Sequence, residues 1–193
     1  CSFRDKIIVF LKIFRSTMKT EFEAKILEID VVAVTERLTT LGSKKIDEIM
    51  QRRYVYDLMP KKENSWIRLR TDGTKTTLAI KEIHDDTIDG TKELEITVDD
   101  FDKTHLLLER LGYAAKGYQE NKRIRYELDG VEIDIDFWPF IPPYLEIEGR
   151  SASEVETVIA KLGFNKSQTT SINTTHVYKR YGIDIDSAQQ LKF

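Results

Sequence analysis

Charged residues fall on every second position of one short segment after another: Glu21, Glu23 and Lys25; Arg68 and Arg70; Glu93 and Glu95; Arg123 and Arg125; Asp134 and Asp136; Glu146 and Glu148. A period of two is that of a β-strand, whose successive side chains point to opposite faces, so each set projects from one side of its strand. The other side is apolar in several of them: Phe22 and Ala24, Ile67 and Leu69, Ile133, Ile135 and Phe137, Leu145 and Ile147. Any one such strand reads most simply as part of a sheet with one wet face. Both signs of charge recur along the whole chain, however, and that calls for a fold in which the apolar faces are covered and the charged faces meet.

Three helical segments supply the cover. A strand-like run at 19–28 leads into a helix opened by Asp30 and closed at Leu41-Gly42, with Val31, Val34, Leu38 and Leu41 on one face. The same order returns at 92–98, with Asp100 as cap and Leu111-Gly112 as stop, and at 144–148, with Ser151 and Leu162-Gly163. Each copy carries a Glu-x-Glu pair on its strand, so a strand-helix element is repeated within one domain, placed at 18–193. Between the copies, alternating segments at 52–57, 66–71, 76–82, 122–128 and 131–137 read as further strands, with polar turns at Asp72-Gly73, Asp89-Gly90 and Asp129-Gly130. About eight hairpin-linked strands either leave edges or close on themselves, and closure removes the edges. The expected fold is therefore α+β: a closed antiparallel β-barrel, helices outside, with charged faces lining its interior.

Composition narrows the function. With 193 residues, 33% charged and 40% hydrophobic, the chain suits one globular core. A net charge of -3 argues against nucleic acid or an anionic membrane surface as partner, so an anionic ligand must be held by a local basic cluster. The single cysteine, Cys1, excludes an intramolecular disulfide and a cysteine-based metal site. The apolar run at 7–14 is interrupted by Lys12 and is shorter than the roughly 20 residues of a spanning helix, and Arg15 and Lys19 follow where a signal peptide would carry small residues. A cytoplasmic protein is expected. Met18 stands directly before the strongest motif, so residues 1–17 are expected to be a non-native or disordered extension. Clustered carboxylates suit a hard cation such as Mg²⁺ or Mn²⁺, and facing Lys and Arg suit phosphate oxygens, so a metal-chelated polyphosphate uses both signs at once.

Glu21-Phe22-Glu23-Ala24-Lys25 is a Glu-x-Glu-x-Lys strand, and it is followed in order by Arg68-Leu69-Arg70, Lys81, Glu93-Leu94-Glu95, Arg123-Ile124-Arg125, Asp136 and Glu146-Ile147-Glu148. The series resembles the CYTH family, which includes class IV adenylyl cyclases, thiamine triphosphatases and inorganic triphosphatases. The resemblance implies an eight-stranded tunnel that binds a small triphosphate with one or two divalent ions, and it allows a homodimer. It implies Glu21, Glu23, Asp136, Glu146 and Glu148 as metal ligands. Lys25, Arg68, Arg70, Lys81, Arg123 and Arg125 would grip phosphate, with Lys25 also a candidate for stabilising or activating the attacking oxygen. Glu93 and Glu95 would orient these cations or bind metal through water, and Asp134, on the same face as Asp136, would be an orienting group or a weaker candidate ligand. One position departs from the pattern: Asn121 stands where family members often carry lysine.

Hydrolysis of an inorganic, nucleoside or other organic triphosphate ranks ahead of cyclisation of ATP to cyclic AMP and pyrophosphate, since no clear adenine-reading motif is present. A noncatalytic polyphosphate or nucleotide binder is the other alternative. His84, His105 and His176 are isolated in sequence, with His105 expected on a helix; Trp66, Trp138, Phe140 and Tyr144 read as packing ahead of a purine platform. The tail 174–193 is expected to form a helix and a short lid or plug.

Overall fold

The computed structural model describes residues 18–185 and 190–193; the expected extension at 1–17 lies outside them. Eight strands, β1 (Lys19–Ile26), β2 (Lys44–Asp57), β3 (Ser65–Thr71), β4 (Thr76–Ile83), β5 (Thr91–Val98), β6 (Ala115–Leu128), β7 (Val131–Phe137) and β8 (Tyr144–Gly149), pair antiparallel in the order β1-β5-β4-β3-β2-β6-β7-β8. The β8 pairing with β1 closes the barrel. Two short strands add to it: β9 (Thr169–Thr170) pairs with β1, and β10 (Gln190–Leu191) lies parallel to β6.

The helices α1 (Val31–Thr40), α2 (Phe101–Arg110) and α3 (Ala152–Lys161) begin where their caps predict. The Asp30 carboxylate accepts from the Val32 and Ala33 amides at 2.9 and 3.1 Å, Asp100 from Lys103 at 2.8 Å, and Ser151 Oγ from Glu154 at 3.3 Å. Each helix ends one residue before the expected leucine, and the following Gly42, Gly112 and Gly163 take positive φ, which ends the helix without strain.

The apolar core lies outside the barrel. Leu38 of α1 and Val155 of α3 pack on Ile133, Leu145 and Ile147, the outward residues of β7 and β8. Phe101 and Leu108 of α2 cover Tyr56, Ile67 and Leu69 on the opposite wall. A third cluster closes one end, where Val177 and Tyr178 of α4 (Thr174–Arg180) meet Trp138, Ile141 and Tyr144. Tyr178 donates to the Pro139 carbonyl at 2.8 Å. The tail thus forms the expected helix; residues 186–189 lie outside the described part. Among the described residues no helix is long and apolar enough to cross a membrane.

Two strands are longer than their alternation suggests. β2 and β6 each run for 14 residues. The first half of β2 pairs only with β6, and the first half of β6 pairs with β2 and, at Tyr118 and Gln119, with β10. That offset is the stagger a sheet needs in order to close. Asp72-Gly73 and Asp129-Gly130 sit at the tight turns expected, whereas Asp89-Gly90 ends a longer connection between β4 and β5. Gly90 is needed there for close approach, since a Cβ would stand 2.1 Å from the Asp85 carbonyl oxygen.

Candidate active site

With the apolar faces turned outward, the charged faces meet in the barrel lumen. Two cavities, of about 380 and 370 Å³, share Arg68, Arg70, Lys81, Arg123 and Glu146 in their walls. The first extends past Arg53, Trp66 and Trp138 to Asn173, Thr174 and Thr175 at the start of α4. The second extends to Glu21, Glu93, Glu95, Glu132 and Glu148. The lumen is therefore basic in the middle and acidic at one end.

The basic groups are held by carboxylates from their own strand, the next strand or the strand after that. Lys25 lies between Glu23 at 2.8 Å and Glu146 at 3.0 Å. Lys81 meets Glu21 at 2.7 Å, and Arg68 meets Glu93 at 2.8 Å and Glu95 at 3.3 Å. Arg70 reaches Glu95 at 3.7 Å. Arg123 makes the densest set: Nε to Asp136 Oδ1 at 2.8 Å, Nη2 to Asp136 Oδ2 at 2.6 Å and to Glu146 at 2.9 Å, and an ion pair with Asp134. Burial alone would weaken the Lys25 ammonium, but Glu146 and Glu23 hold its pKa well above the usual lysine value. Burial would likewise raise Glu146, which Lys25 and Arg123 instead hold well below the usual carboxylate range. Burial pushes the Asp134 carboxyl up despite its ion pair with Arg123, and its Oδ1 is buried without a hydrogen-bond partner.

Glu148 is the exception among the clustered carboxylates. It lies opposite Glu23 in the β1–β8 register, and no hydrogen bond or ion pair joins it to another described residue. Burial, followed by the nearby charges of Glu21, Glu146 and Glu23, pushes its pKa from 4.5 to about 7. In a chelator, the folded state then binds more protons than the unfolded chain between those values, so stability is lost as pH rises through that window. Glu148→Gln is expected to remove this loss and to exceed wild type at pH about 8 by on the order of 1–3 kcal/mol. Denaturant titrations across the window check it; parallel pH dependences for the two proteins would mean that Glu148 is ionised throughout.

The structure brings most of the expected residues to one lumen and sets three apart. Arg125 lies on neither cavity wall: its guanidinium pairs in fork geometry with Asp47, Nε to Oδ1 at 2.8 Å. Asp134 and Asp136 also line neither cavity; they are buried against Arg123. Glu93 and Glu95 stand beside Arg68, as orienting groups would. Trp138 and Tyr144 are core residues, and Phe140 is exposed away from the cavities. His105 lies on α2, its ring stacked 3.9 Å from Tyr54 and its Nδ1 2.7 Å from Tyr56 Oη. Sequence reasoning missed Arg53, a buried guanidinium on the wall of the larger cavity. Arg52 beside it is also charged, so the period of two is hidden there.

The CYTH domain family profile matches residues 19–178, the barrel and most of α4. The chain belongs to the CYTH family. A comparison with curated proteins finds no match. Among solved structures, a protein of Pyrococcus horikoshii is 22% identical, with TM-score 0.69 over 79% of this chain and 96% of its own. A candidate adenylate cyclase of Vibrio parahaemolyticus is 12% identical, with TM-score 0.72 over 83% and 98%. A Hippeastrum protein, described as a candidate adenylyl cyclase with a dominant triphosphatase activity, is 15% identical, with TM-score 0.58 over 84% and 96%. At these identities the likeness concerns the CYTH fold.

A divalent cation is the group that CYTH membership suggests, and the donors present suit one. Glu21, Glu23, Glu146 and Glu148 offer hard oxygen ligands from β1 and β8, and the like-charge crowding that raises Glu148 is what a cation relieves. In the present side-chain positions, no three carboxylate or imidazole groups among the described residues converge as a cation site. The reason is visible: Lys81 holds Glu21, and Lys25 holds Glu23 and Glu146. Asp136 stands apart from this CYTH carboxylate group, with both oxygens taken by Arg123.

Proposed function

We propose that this CYTH protein is a divalent-metal-dependent phosphoryl-transfer enzyme that hydrolyses a triphosphate in the barrel lumen. The observation that carries the reading is the row of Arg68, Arg70, Lys81 and Arg123 shared by both cavities, with the carboxylates of Glu21 and Glu148 at one end. Phosphoryl transfer asks mainly for positioning and charge neutralisation, and buried cations on rigid strands supply both.

Glu21, Glu23, Glu146 and Glu148 would hold the cation, which when bound supplies further positive charge to the phosphate oxygens. Arg68, Arg70, Lys81 and Arg123 bind and align the chain. Lys25 remains an ammonium between Glu23 and Glu146, so it stabilises charge on the attacking or leaving oxygen by donating hydrogen bonds and does not take up a proton. Water attacks the terminal phosphorus, the bond to the bridging oxygen breaks, and orthophosphate and the diphosphate leave. Hydrolysis is ranked ahead of cyclisation because, of the aromatics on the wall of the basic cavity, Trp138 is 4% exposed with Arg53 over its ring and Tyr144 is buried, which leaves Trp66 as the partly exposed ring there.

The test is the purified chain with Mg²⁺ or Mn²⁺, given tripolyphosphate and ATP separately, with orthophosphate, pyrophosphate and cyclic AMP quantified. Orthophosphate release abolished in the Glu21→Ala, Glu23→Ala variant is the expected result. Cyclic AMP with matching pyrophosphate would make the protein a cyclase. Binding without either product would make it a noncatalytic module.

A further inference from the structure

The cations in the middle of the lumen, Lys25, Arg68, Arg70, Lys81 and Arg123, each have a carboxylate within 4 Å, but Arg53 has none among the described residues. Its guanidinium, 7% exposed, donates to the neutral side chains of Gln51, at 3.1 Å, and Asn121. Its Nε is buried without a partner, and so are Arg68 Nε and Trp138 Nε1 on the same cavity wall. Arg53 also stands directly opposite Arg70 in the β2–β3 register, an arrangement of like charges that is unfavourable across a strand pair. The Trp138 ring, 4.6 Å from Arg53 Cζ, is a partial substitute for an anion. A buried charge with neutral partners and a facing like charge is stabilised by a counterion.

Resting on the triphosphate reading of the lumen, we propose that Arg53, held by Gln51 and Asn121, is a substrate-binding residue that grips the phosphate farthest from the Glu21 and Glu148 carboxylates. The placement follows from the walls: Arg53 lines only the larger cavity, past the four cations that both cavities share. Burial, followed by the charges of Arg70, Arg68 and Arg123, holds the Arg53 guanidinium well below the usual arginine value, a shift that an anion beside it would oppose. Asn121, the position that departs from the family pattern, accepts from Arg53 and donates to Asp136 at 3.0 Å. It therefore positions a cation from the next strand where the side chain itself provides none. The substrate class that uses this site is a chain of at least three phosphates or phosphate esters, since a diphosphate can be held by the shared cations alone.

The experiment is calorimetric titration of the full-length protein with imidotriphosphate and imidodiphosphate in Mg²⁺, alongside melting temperatures without ligand. Arg53→Gln is expected to weaken imidotriphosphate binding about tenfold or more, as loss of a charge-assisted contact does, and to weaken imidodiphosphate binding less. Gln51→Glu gives Arg53 a carboxylate in place and is expected to weaken imidotriphosphate about threefold or more while raising the unliganded melting temperature. Binding within about twofold of wild type in both variants, with Arg68→Gln binding lost, would overturn the proposal and leave the lumen reading standing. Equal losses for the two ligands would overturn the placement. Lower unliganded melting temperatures in both variants would overturn the proposal, since Arg53 would then be satisfied without an anion. If the wild type itself bound neither ligand, the triphosphate reading would fall and this inference with it.

Discussion

Replacing Arg123 with leucine is expected to cost the fold about 3–5 kcal/mol, the penalty for leaving buried charges without their partner. Asp134 and Asp136 are 3% and 0% exposed, and with Glu146 they converge on this one guanidinium. Burial works against the charge of Arg123, but Asp136, Asp134 and Glu146 hold its pKa well above the usual arginine value. Without it, the three carboxylates repel one another inside the barrel and take up protons. Glu146 loses one of the cations that hold its pKa low, and Asp134, already pushed up by burial, is raised further, so the damage grows with pH and shrinks as pH falls towards the ordinary carboxylate range. Arg123→Lys should recover only part of the loss, because one ammonium cannot meet both oxygens of Asp136 and still reach Glu146. Denaturant unfolding at pH about 8 and about 5 checks both the size and the sign. A leucine variant within about 1 kcal/mol of wild type at the higher pH would mean that Asp134, which burial pushes up, already carries its proton in the native protein.

The barrel was legible because its period of two survives in the amino-acid order. Ile133, Ile135 and Phe137 alternate with Asp134 and Asp136, and a one-residue slip would exchange the core face for the charged one. The helix boundaries were legible for a different reason: Asp30, Asp100 and Ser151 are local signals that act within three residues. The first halves of β2 and β6 carry no such alternation; each lies opposite the second half of the other strand in a long antiparallel pairing that is set by the stagger of the closed sheet. The candidate site divides in the same way. Which charges face inward is a property of each strand, but which charge meets which is a property of register. Arg123 opposite Asp136 pairs an expected metal ligand with an arginine, and Arg125 pairs with Asp47 and lies on neither cavity wall. Arg53 opposite Arg70 creates a site that no strand shows by itself.

Lys81→Met is expected to move two measurements in opposite directions. Lys81 lies 2.7 Å from Glu21 and 3.9 Å from Glu93, and its wall belongs to both cavities. In the unliganded protein it is a counterion for Glu21, whose carboxyl is raised by burial while Lys81 opposes the rise. A divalent cation must compete with that ammonium for the same oxygen. Removing Lys81 should therefore strengthen Mn²⁺ binding to the substrate-free protein about tenfold, the scale on which a neighbouring charge shifts a carboxylate's proton affinity. On the proposed reading, the same change removes a positive charge from the row that would align the phosphates, so kcat/KM for tripolyphosphate should fall by about 10²–10³. Tighter metal with slower turnover separates Lys81 as a phosphate ligand from Lys81 as a brace for the barrel, since a brace lost would weaken both. Calorimetry with Mn²⁺ and steady-state kinetics supply the two numbers. Weaker Mn²⁺ binding in the variant would remove Glu21 from the cation site, and an unchanged kcat/KM would remove Lys81 from the phosphate grip. If both expected shifts appear, substrate phosphates release the acidic end for its cation by drawing Lys81 away from Glu21.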